Sequence, residues 1–347
     1  MKSSHKRAGM NIPQDTEFTV LSTRIRLARN LEAYPFPDFL DDKKANEIIT
    51  LLGHELNALD TFTEYAVAAM TPMKSAYLQE KHLISPALIK RGKKGAVFVS
   101  EDEQIAVMVN EEDHLREQYI VKDLDLVGAY EKISGIDDLI GSKVNFAYDK
   151  RLGYLTACPS NLGTGMRASV MMFLPGLTRS GALKELLPTF KKYGLTVRGV
   201  FGEGSKAEGY TYQISNERTL GVSEGSILEQ MTEVTYNLCS LELNEREKML
   251  EKDGIALKDS CLRAYGTLTN CALISQEEMS QLLPKLRLGV TLGFFRARSI
   301  EQLDSFISEM QAASFRMKYN PNTEEEAQST RASVSASEVK KCVSRLC

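Results

Sequence analysis

The chain predicts an α+β protein in which a central antiparallel sheet is flanked by helices and followed by a smaller helical domain. Short β-branched runs occur in pairs joined by tight turns, helical patterns stand apart from those pairs, and strand patterns give way to helical ones from about residue 223. Paired strands with segregated helices favour an antiparallel sheet over a doubly wound one. A length of 347 residues accommodates one large domain and a smaller one.

In chain order, residues 41–59 place apolar side chains at helical spacing behind an acidic start. The runs beginning at Gly95 and Gln104 are β-branched and joined by an acidic turn, which predicts a hairpin. The segments 144–148 and 154–157, separated by Asp149-Lys-Arg-Leu-Gly, repeat that form. A third pair runs over 196–201 and 210–215. Beyond it, Ser226-Ile-Leu-Glu229, Ser275-Gln-Glu-Glu278 and Ser299-Ile-Glu-Gln302 fit capping boxes at helix starts. These signals divide the chain into 1–252, 253–318 as a helical domain, and 319–347. The last segment is rich in Asn, Pro, Glu, Ser and Thr and reads as a mobile tail.

Composition narrows the function classes. Charged residues make up 26% and the net charge is −3, so charge gives no argument for nucleic acid. No apolar run approaches the length of a membrane span, and no apolar stretch follows the basic start. The six cysteines show no CxxC and no zinc spacing, which predicts a reduced, cytoplasmic chain. Gly202 to Ala207 formally matches a dinucleotide fingerprint, but an alternating, strand-like segment follows where that motif needs a helix. Residues 199–206 miss the P-loop by a serine in the lysine position. No HRD or DFG set of a Ser/Thr/Tyr protein kinase is present.

The most informative stretch is 156–170. It sets Cys158, a Pro-Ser-Asn turn, Gly163 and Gly165, and Arg167 side by side. The glycines would let the backbone approach a ligand, Arg167 offers a fork suited to phosphate oxygens, and Cys158 precedes the loop where cations could hold it as thiolate. Arg24 and Arg26 alternate with apolar residues and would share one face of a strand. Glu111, Glu112 and Asp113 follow the strand ending at Val109, with Arg116 just beyond, and Arg198 precedes Glu203. Any one segment reads most simply as surface charge. Together they place anion-binding forks beside carboxylates, as a phosphoryl group meeting a cationic acceptor would require.

The segments STRIRLARN (22–30), NEEDHLR (110–116), TACPSNLGTGMRASV (156–170), RGVFGEG (198–204) and QISNERTLG (213–221) resemble, in order, the signature segments of the phosphagen (guanidino) kinase family. Within it the chain is most similar to the bacterial protein arginine kinases. Small-molecule arginine and creatine kinases carry a helical domain ahead of STRIRLARN, whereas here about twenty residues precede it and a helical domain follows. The resemblance implies a guanidino-kinase catalytic domain in 1–252 and transfer of the γ-phosphoryl group of ATP, carried with Mg²⁺, to the guanidinium of protein arginines. A free-guanidine kinase and a non-catalytic adaptor binding arginine or phosphoarginine are the competing readings.

By the same resemblance Ser22, Thr23, Arg24, Ile25, Arg26, His82, Arg116, Arg167, Ala168, Ser169, Val170, Met171, Arg198, Gly199, Val200, Phe201, Gly202 and Glu203 line the nucleotide site, with His82 by the adenine. Glu112 and Glu203 are the implied acceptor-gripping carboxylates, since a carboxylate pairs with a guanidinium fork and can take its proton. Cys158 is implied as an electrostatic and positioning group. Glu111 and Asp113 are implied to act on the metal's water shell, with no direct protein ligand to Mg²⁺. The implied partners are substrate proteins with accessible arginines, a zinc-binding activator, a repressor client and a Clp-type protease in stress response and protein quality control, with a homodimer as a further expectation. Neither nucleic acid nor membrane is among them. The family's distal Arg-Asp-x-x-Arg-Ala motif, which binds phosphoarginine, is reduced here to Arg331-Ala332.

Overall fold

A computed structural model describes residues 16–199 and 208–345. Eight strands form one sheet: β1 (Val20–Arg29), β2 (Phe62–Ala66), β3 (Ala96–Ser100), β4 (Ile105–Val109), β5 (Leu115–Lys122), β6 (Met166–Phe173), β7 (Leu195–Gly199) and β8 (Thr211–Asn216). Their spatial order is β2-β3-β4-β5-β1-β6-β8-β7, and every neighbouring pair is antiparallel. The expected hairpins at 96–109 and 195–216 are both present. The hairpin expected over 144–157 is short, Tyr148–Asp149 against Gly153–Tyr154, and lies outside the main sheet.

The helices of six or more residues are α1 (Asp42–Leu59), α2 (Pro72–Glu80), α3 (Leu126–Gly141), α4 (Pro175–Ser180), α5 (Ala182–Lys192), α6 (Glu224–Asn270), α7 (Gln276–Thr291), α8 (Ile300–Glu309), α9 (Ala312–Tyr319) and α10 (Glu324–Cys342). Helix α1 starts where Asp41 accepts from the Lys44 amide, and it buries Ala45, Ile48, Leu52 and Leu56 at three- and four-residue spacing. Helix α3 repeats the device, with Asp125 capping Gly128 and Leu126, Ala129, Ile133 and Ile140 turned inward. Both helices pack on the sheet face that carries Ile25, Leu27, Val107, Ala168, Val170 and Ile214.

Helix α6 crosses from the sheet core to a second core. Its first part buries Ile227, Met231 and Leu238 against the sheet, and after a kink at Asp253 Leu257, Cys261 and Leu268 join the helical cluster. It therefore runs through the expected boundary at 252/253. Its N-cap is Ser223, which exchanges hydrogen bonds with Ser226, three residues ahead of the expected start. Buried Glu242 accepts from the Gly176 and Leu177 amides at the start of α4 and from Arg246 Nε, and Arg246 donates to Thr19 Oγ1 and the Phe173 carbonyl. The pair thus fastens the long helix to the ends of the central strands β1 and β6. Ser275 and Ser299 cap α7 and α8 as the sequence predicts.

The expected mobile tail is instead structured. Helix α10 buries Ala327, Arg331, Ala332, Ser335 and Val339, and Val343–Arg345 pairs with Phe295–Ala297. The polar composition misleads because the apolar contacts fall on one narrow stripe, while the acidic first turn of α10 and its basic last turn suit the helix dipole. Among the described residues no helix is long and apolar enough to cross a membrane.

Beneath the sheet, Arg29 is 3% exposed and donates to Asp137 at 2.7 and 3.0 Å, with its guanidinium 3.6 Å from the Tyr154 ring centroid. Glu117 lies beside this pair, fully buried, with neither carboxylate oxygen hydrogen-bonded. Burial first and then Asp137 push its carboxyl well above the usual range, against the pull of Arg29, so folding favours the protonated form of Glu117. Because its folded value is raised, its contribution to stability is present below the unfolded carboxyl value and is lost as pH rises toward the folded value. Glu117→Gln is therefore expected to gain stability relative to the parent as pH rises above about 4.3, by about 1.4 kcal/mol per pH unit across that window. Urea unfolding of both proteins between pH 5 and 8 checks this; parallel stability profiles would contradict it.

Candidate active site

Antiparallel register assembles the site. In such a sheet directly opposed residues share a face and successive residues alternate. Arg24 opposes Ser169 and Ile120, Arg26 opposes Arg167 and Gln118, and Arg116 opposes Ala28. On the outer strands Ser215 opposes Ser169 and Arg198 opposes Gln213, which extends the same face. Arg24, Arg26, Arg116, Arg167 and Arg198 are thereby gathered on the side opposite the α1 and α3 packing.

The same alternation divides the side chains of the expected block between two faces. The side chains of Ile25, Ala168 and Val170 lie in the core beneath the sheet, and Thr23 Oγ1 donates to the Asp123 carbonyl at 2.7 Å. Consecutive strand residues cannot all face one ligand with their side chains. Ser22, Arg24, Arg26, Arg167, Ser169 and Met171 lie on the arginine face; Gly199 ends β7, and Val200, Phe201, Gly202 and Glu203 fall outside the described residues.

The guanidinium groups crowd one another. Burial, then Arg116 and Arg167, lower the Arg24 value, and Arg26 is lowered well below its usual range by burial and by Arg24. Arg26 Nε is buried with no hydrogen-bond partner. Arg167 donates to Ser215 Oγ at 3.2 and 3.0 Å; burial, Arg198 and Arg116 lower it, against the pull of Glu217 and Cys158. Guanidinium stays protonated even so. Such a surface fits a polyanion that relieves the repulsion.

The carboxylates at the β4–β5 turn divide into distinct roles. Glu111 is buried; Arg116 Nη1 donates to it at 2.5 Å, and Ser85 Oγ and the Glu112 amide donate as well. Burial alone would raise Glu111, but Arg116 and these donors hold it below the usual range. Asp113 is also buried, accepting from Asn30 Nδ2 at 2.6 Å and the Ala157 amide at 2.7 Å. Glu111 thus anchors Arg116, and Asp113 ties the end of β1 to the Cys158 loop. Glu112 is exposed at the rim, and partial desolvation followed by Glu111 and Asp113 raises its carboxyl against Arg116 and Arg26.

Cys158 is partly buried, its Sγ 3.0 Å from Ser160 Oγ. The following loop is held by Thr219 Oγ1, which donates to the Ser160 and Leu162 carbonyls at 3.0 and 2.8 Å. Gly163 and Gly165 have φ of 109° and 63°. A Cβ on Gly163 would lie 2.4 Å from the Thr219 carbonyl, and one on Gly165 2.5 Å from Arg29 Nη1. These glycines therefore serve close packing inside the protein.

His82 follows α2 with φ of 58°, its carbonyl accepting from Gln118 Nε2 at 2.7 Å. Burial first, then Arg24 and Arg26, lower its pKa to about 4, so the imidazole is neutral near pH 7. Ser85, Gln118 and Ser215 are supporting residues that the sequence reading did not assign. Ser215 lies inside the QISNERTLG segment, which was its only available signal. Arg331, retained from the distal motif, is 1% exposed, contacts Glu324 at 3.3 Å and sits 4.7 Å from the Phe315 ring centroid.

Comparison with known proteins agrees with this geometry. Residues 44–245 match the family model described as ATP:guanido phosphotransferase, C-terminal catalytic domain, and residues 254–345 match the protein-arginine kinase McsB C-terminal domain. The protein-arginine kinase of Caldanaerobacter subterraneus subsp. tengcongensis is 40% identical over 305 residues, covering 86% of this chain and 90% of that protein. That of Halalkalibacterium halodurans is 43% identical over 284 residues, covering 81% and 80%. Among solved structures, lombricine kinase superposes with a TM-score of 0.58 at 25% identity, covering 68% of each chain. The substrate-free duplicated taurocyamine kinase of Schistosoma mansoni gives 0.58 at 28%, covering 68% of this chain and 34% of that one. With crowded arginines that suit a polyanion and matches over both its parts, the chain belongs to the ATP:guanido phosphotransferase family, on its protein-arginine kinase branch.

Proposed function

We propose that the enzyme transfers the γ-phosphoryl group of Mg²⁺-bound ATP to the guanidinium of arginine side chains in proteins. The observation that carries this reading is the line of groups along β1. Ser22, Arg24 and Arg26 succeed one another at steps of about 7 Å on one face, and the line runs toward Arg116, Glu112 and the loop bearing Cys158. A nucleotide laid along it would meet Ser22 first, then the forks, and finally a carboxylate at the acceptor end.

Phosphoryl transfer asks chiefly for in-line placement and charge neutralisation. Arg24, Arg26, Arg116, Arg167 and Arg198 would hold the phosphate oxygens. Mg²⁺ would be carried on the nucleotide's phosphates, where it would neutralise part of their charge. The acceptor nitrogen attacks the γ-phosphorus as the bond to the bridging oxygen of ADP breaks, and the guanidinium proton passes to a carboxylate. Glu112 suits that task, being exposed at the rim with its carboxyl raised above the ordinary value. Glu203 is proposed as the second gripping carboxylate. Cys158 is proposed as a neighbouring electrostatic group, because it acts on Arg167. A cytoplasmic location, an activator protein, a repressor client, a Clp-type protease and a homodimer belong to the same proposal.

Incubation with radiolabelled ATP and an arginine-rich protein tests the reaction, with free arginine alongside. Label on the protein that is labile in acid and stable in base is expected of a phosphoramidate; label on serine, threonine or tyrosine would overturn the proposal. Efficient transfer to free arginine alone would favour a small-molecule kinase instead.

Glu112→Ala is expected to lower kcat by a factor of about 10² or more while ADP affinity changes little, as removal of a positioning base should. Wild-type turnover in that variant would remove Glu112 from the acceptor site. At Arg167, lysine restores charge but not the fork that Ser215 orients. Arg167→Lys is expected to weaken both ATP binding and turnover by about tenfold or more. Kinetics equal to wild type would mean that only charge matters there.

A further inference from the structure

A cavity of about 550 Å³ opens at the Ser22 end of the arginine row. Ser22, Met171 and His82 from the catalytic part line one side, and Leu283, Pro284 and Ser308 from α7 and α8 line the other. The position is informative because Ser22 and Met171 oppose each other in the sheet, one step before Arg24 and Ser169 and two before Arg26 and Arg167. A nucleotide whose phosphates lie on the arginines has its base and ribose in this cavity. Charged side chains such as Lys122, Glu301 and Asp304 also line it, while Met171, Leu283 and Pro284 offer apolar contact to a ring face and Ser22, Ser308 and the neutral His82 offer hydrogen bonds to polar edges.

The far wall is tied in place through charged groups. Glu80, the last residue of α2, stands two residues before His82. Its carboxylate accepts from the Ala313 and Ser314 amides, each at 2.8 Å, and from Ser314 Oγ at 3.1 Å. These are the second and third amides of α9, whose own N-cap residue, Gln311, makes no side-chain cap. Glu80 thus supplies that cap from another part of the chain. Lys122 Nζ donates to Ser305 Oγ at 2.7 Å, and Arg287, paired with Asp304, donates to the Phe18 carbonyl at 2.9 Å.

We infer that the C-terminal helical part forms the outer wall of the purine–ribose pocket, and that Glu80 is the positioning residue that sets this wall against His82. The inference rests on the nucleotide reading above and adds to it that the helical part takes part in ATP binding.

Two variants test it from opposite sides, each checked for an unchanged unfolding temperature. Ser308→Phe fills the cavity from the far wall, and Glu80→Ala removes the tie, with Glu80→Gln as the conservative replacement that keeps one acceptor oxygen. The readouts are ADP affinity by titration, KM for ATP against kcat, and inhibition by inorganic tripolyphosphate, which occupies the phosphate row without a base. Ser308→Phe and Glu80→Ala are expected to raise the ADP Kd and the ATP KM by about tenfold, with kcat at saturating ATP within about twofold and tripolyphosphate inhibition unchanged. Glu80→Gln should recover part of the loss. A folded Ser308→Phe variant with wild-type ADP affinity would overturn the inferred wall. Arg24→Ala separates the two levels of reading, since it should weaken ADP and tripolyphosphate together; if it weakens neither, the nucleotide reading fails beneath the wall.

Discussion

Like charges held close together by β-sheet register dominate this molecule. Arg26 and Arg167 are directly opposed across two central strands, Arg24 is one step away, and Arg116 enters from the other neighbour of β1. No helical surface could concentrate so many forks with such fixed spacing, because strand pairing sets both the face and the distance. The arrangement costs folding energy through mutual repulsion and desolvation. It persists because the opposite face of the same strands buries a large apolar cluster with α1 and α3. The hydrophobic layer beneath thus offsets the electrostatic frustration above.

Buried ion pairs occur where the backbone must be held against that frustration. Arg29–Asp137 lies directly below the glycine loop that leads into Arg167, and Arg29 also donates to the Thr164 carbonyl at 3.1 Å. Glu242–Arg246 locks the long helix to the outer end of β6. Breaking one partner of such a pair typically costs about 3–5 kcal/mol, since the other charge is left unpaired. Their value here is geometric. Each fixes one end of the strand that carries Arg167, Ser169 and Met171.

The sequence made the sheet legible wherever its runs were short, β-branched and closed by turns, as at Ala96–Val109. It also made Arg24 and Arg26 legible as a pair, because alternation along a strand is a local property. Contacts between distant segments were not legible. That Arg26 faces Arg167, or that Asp113 spends its carboxylate on Asn30 and Ala157, depends on register and loop closure, which no local pattern encodes. The same limit explains Thr23, Ile25, Ala168 and Val170, which a motif reports as a block although alternate positions face opposite ways. The tail misled for another reason. Helix α10 hides a fully buried arginine against Phe315 and Glu324 within a polar composition, and composition registers charge without registering which face carries it.

The two parts of the chain are joined by more than the continuous helix α6. Pro284 on α7 touches Gly209, where a Cβ would lie 3.0 Å from the proline ring and φ is +71°. Gly209 leads into β8, which carries Ser215 beneath Arg167. Arg287, three residues on from Pro284, lies 4.3 Å from the ring centroid of Phe173, at the far end of the strand that carries Arg167. A shift of α7 would therefore reach the arginine face by two short routes, through Gly209 and through Phe173. In a close-packed interior such displacements are transmitted rather than absorbed. The helical part thus contacts both strands that flank the Arg167–Ser215 pair, besides lining the cavity beside them.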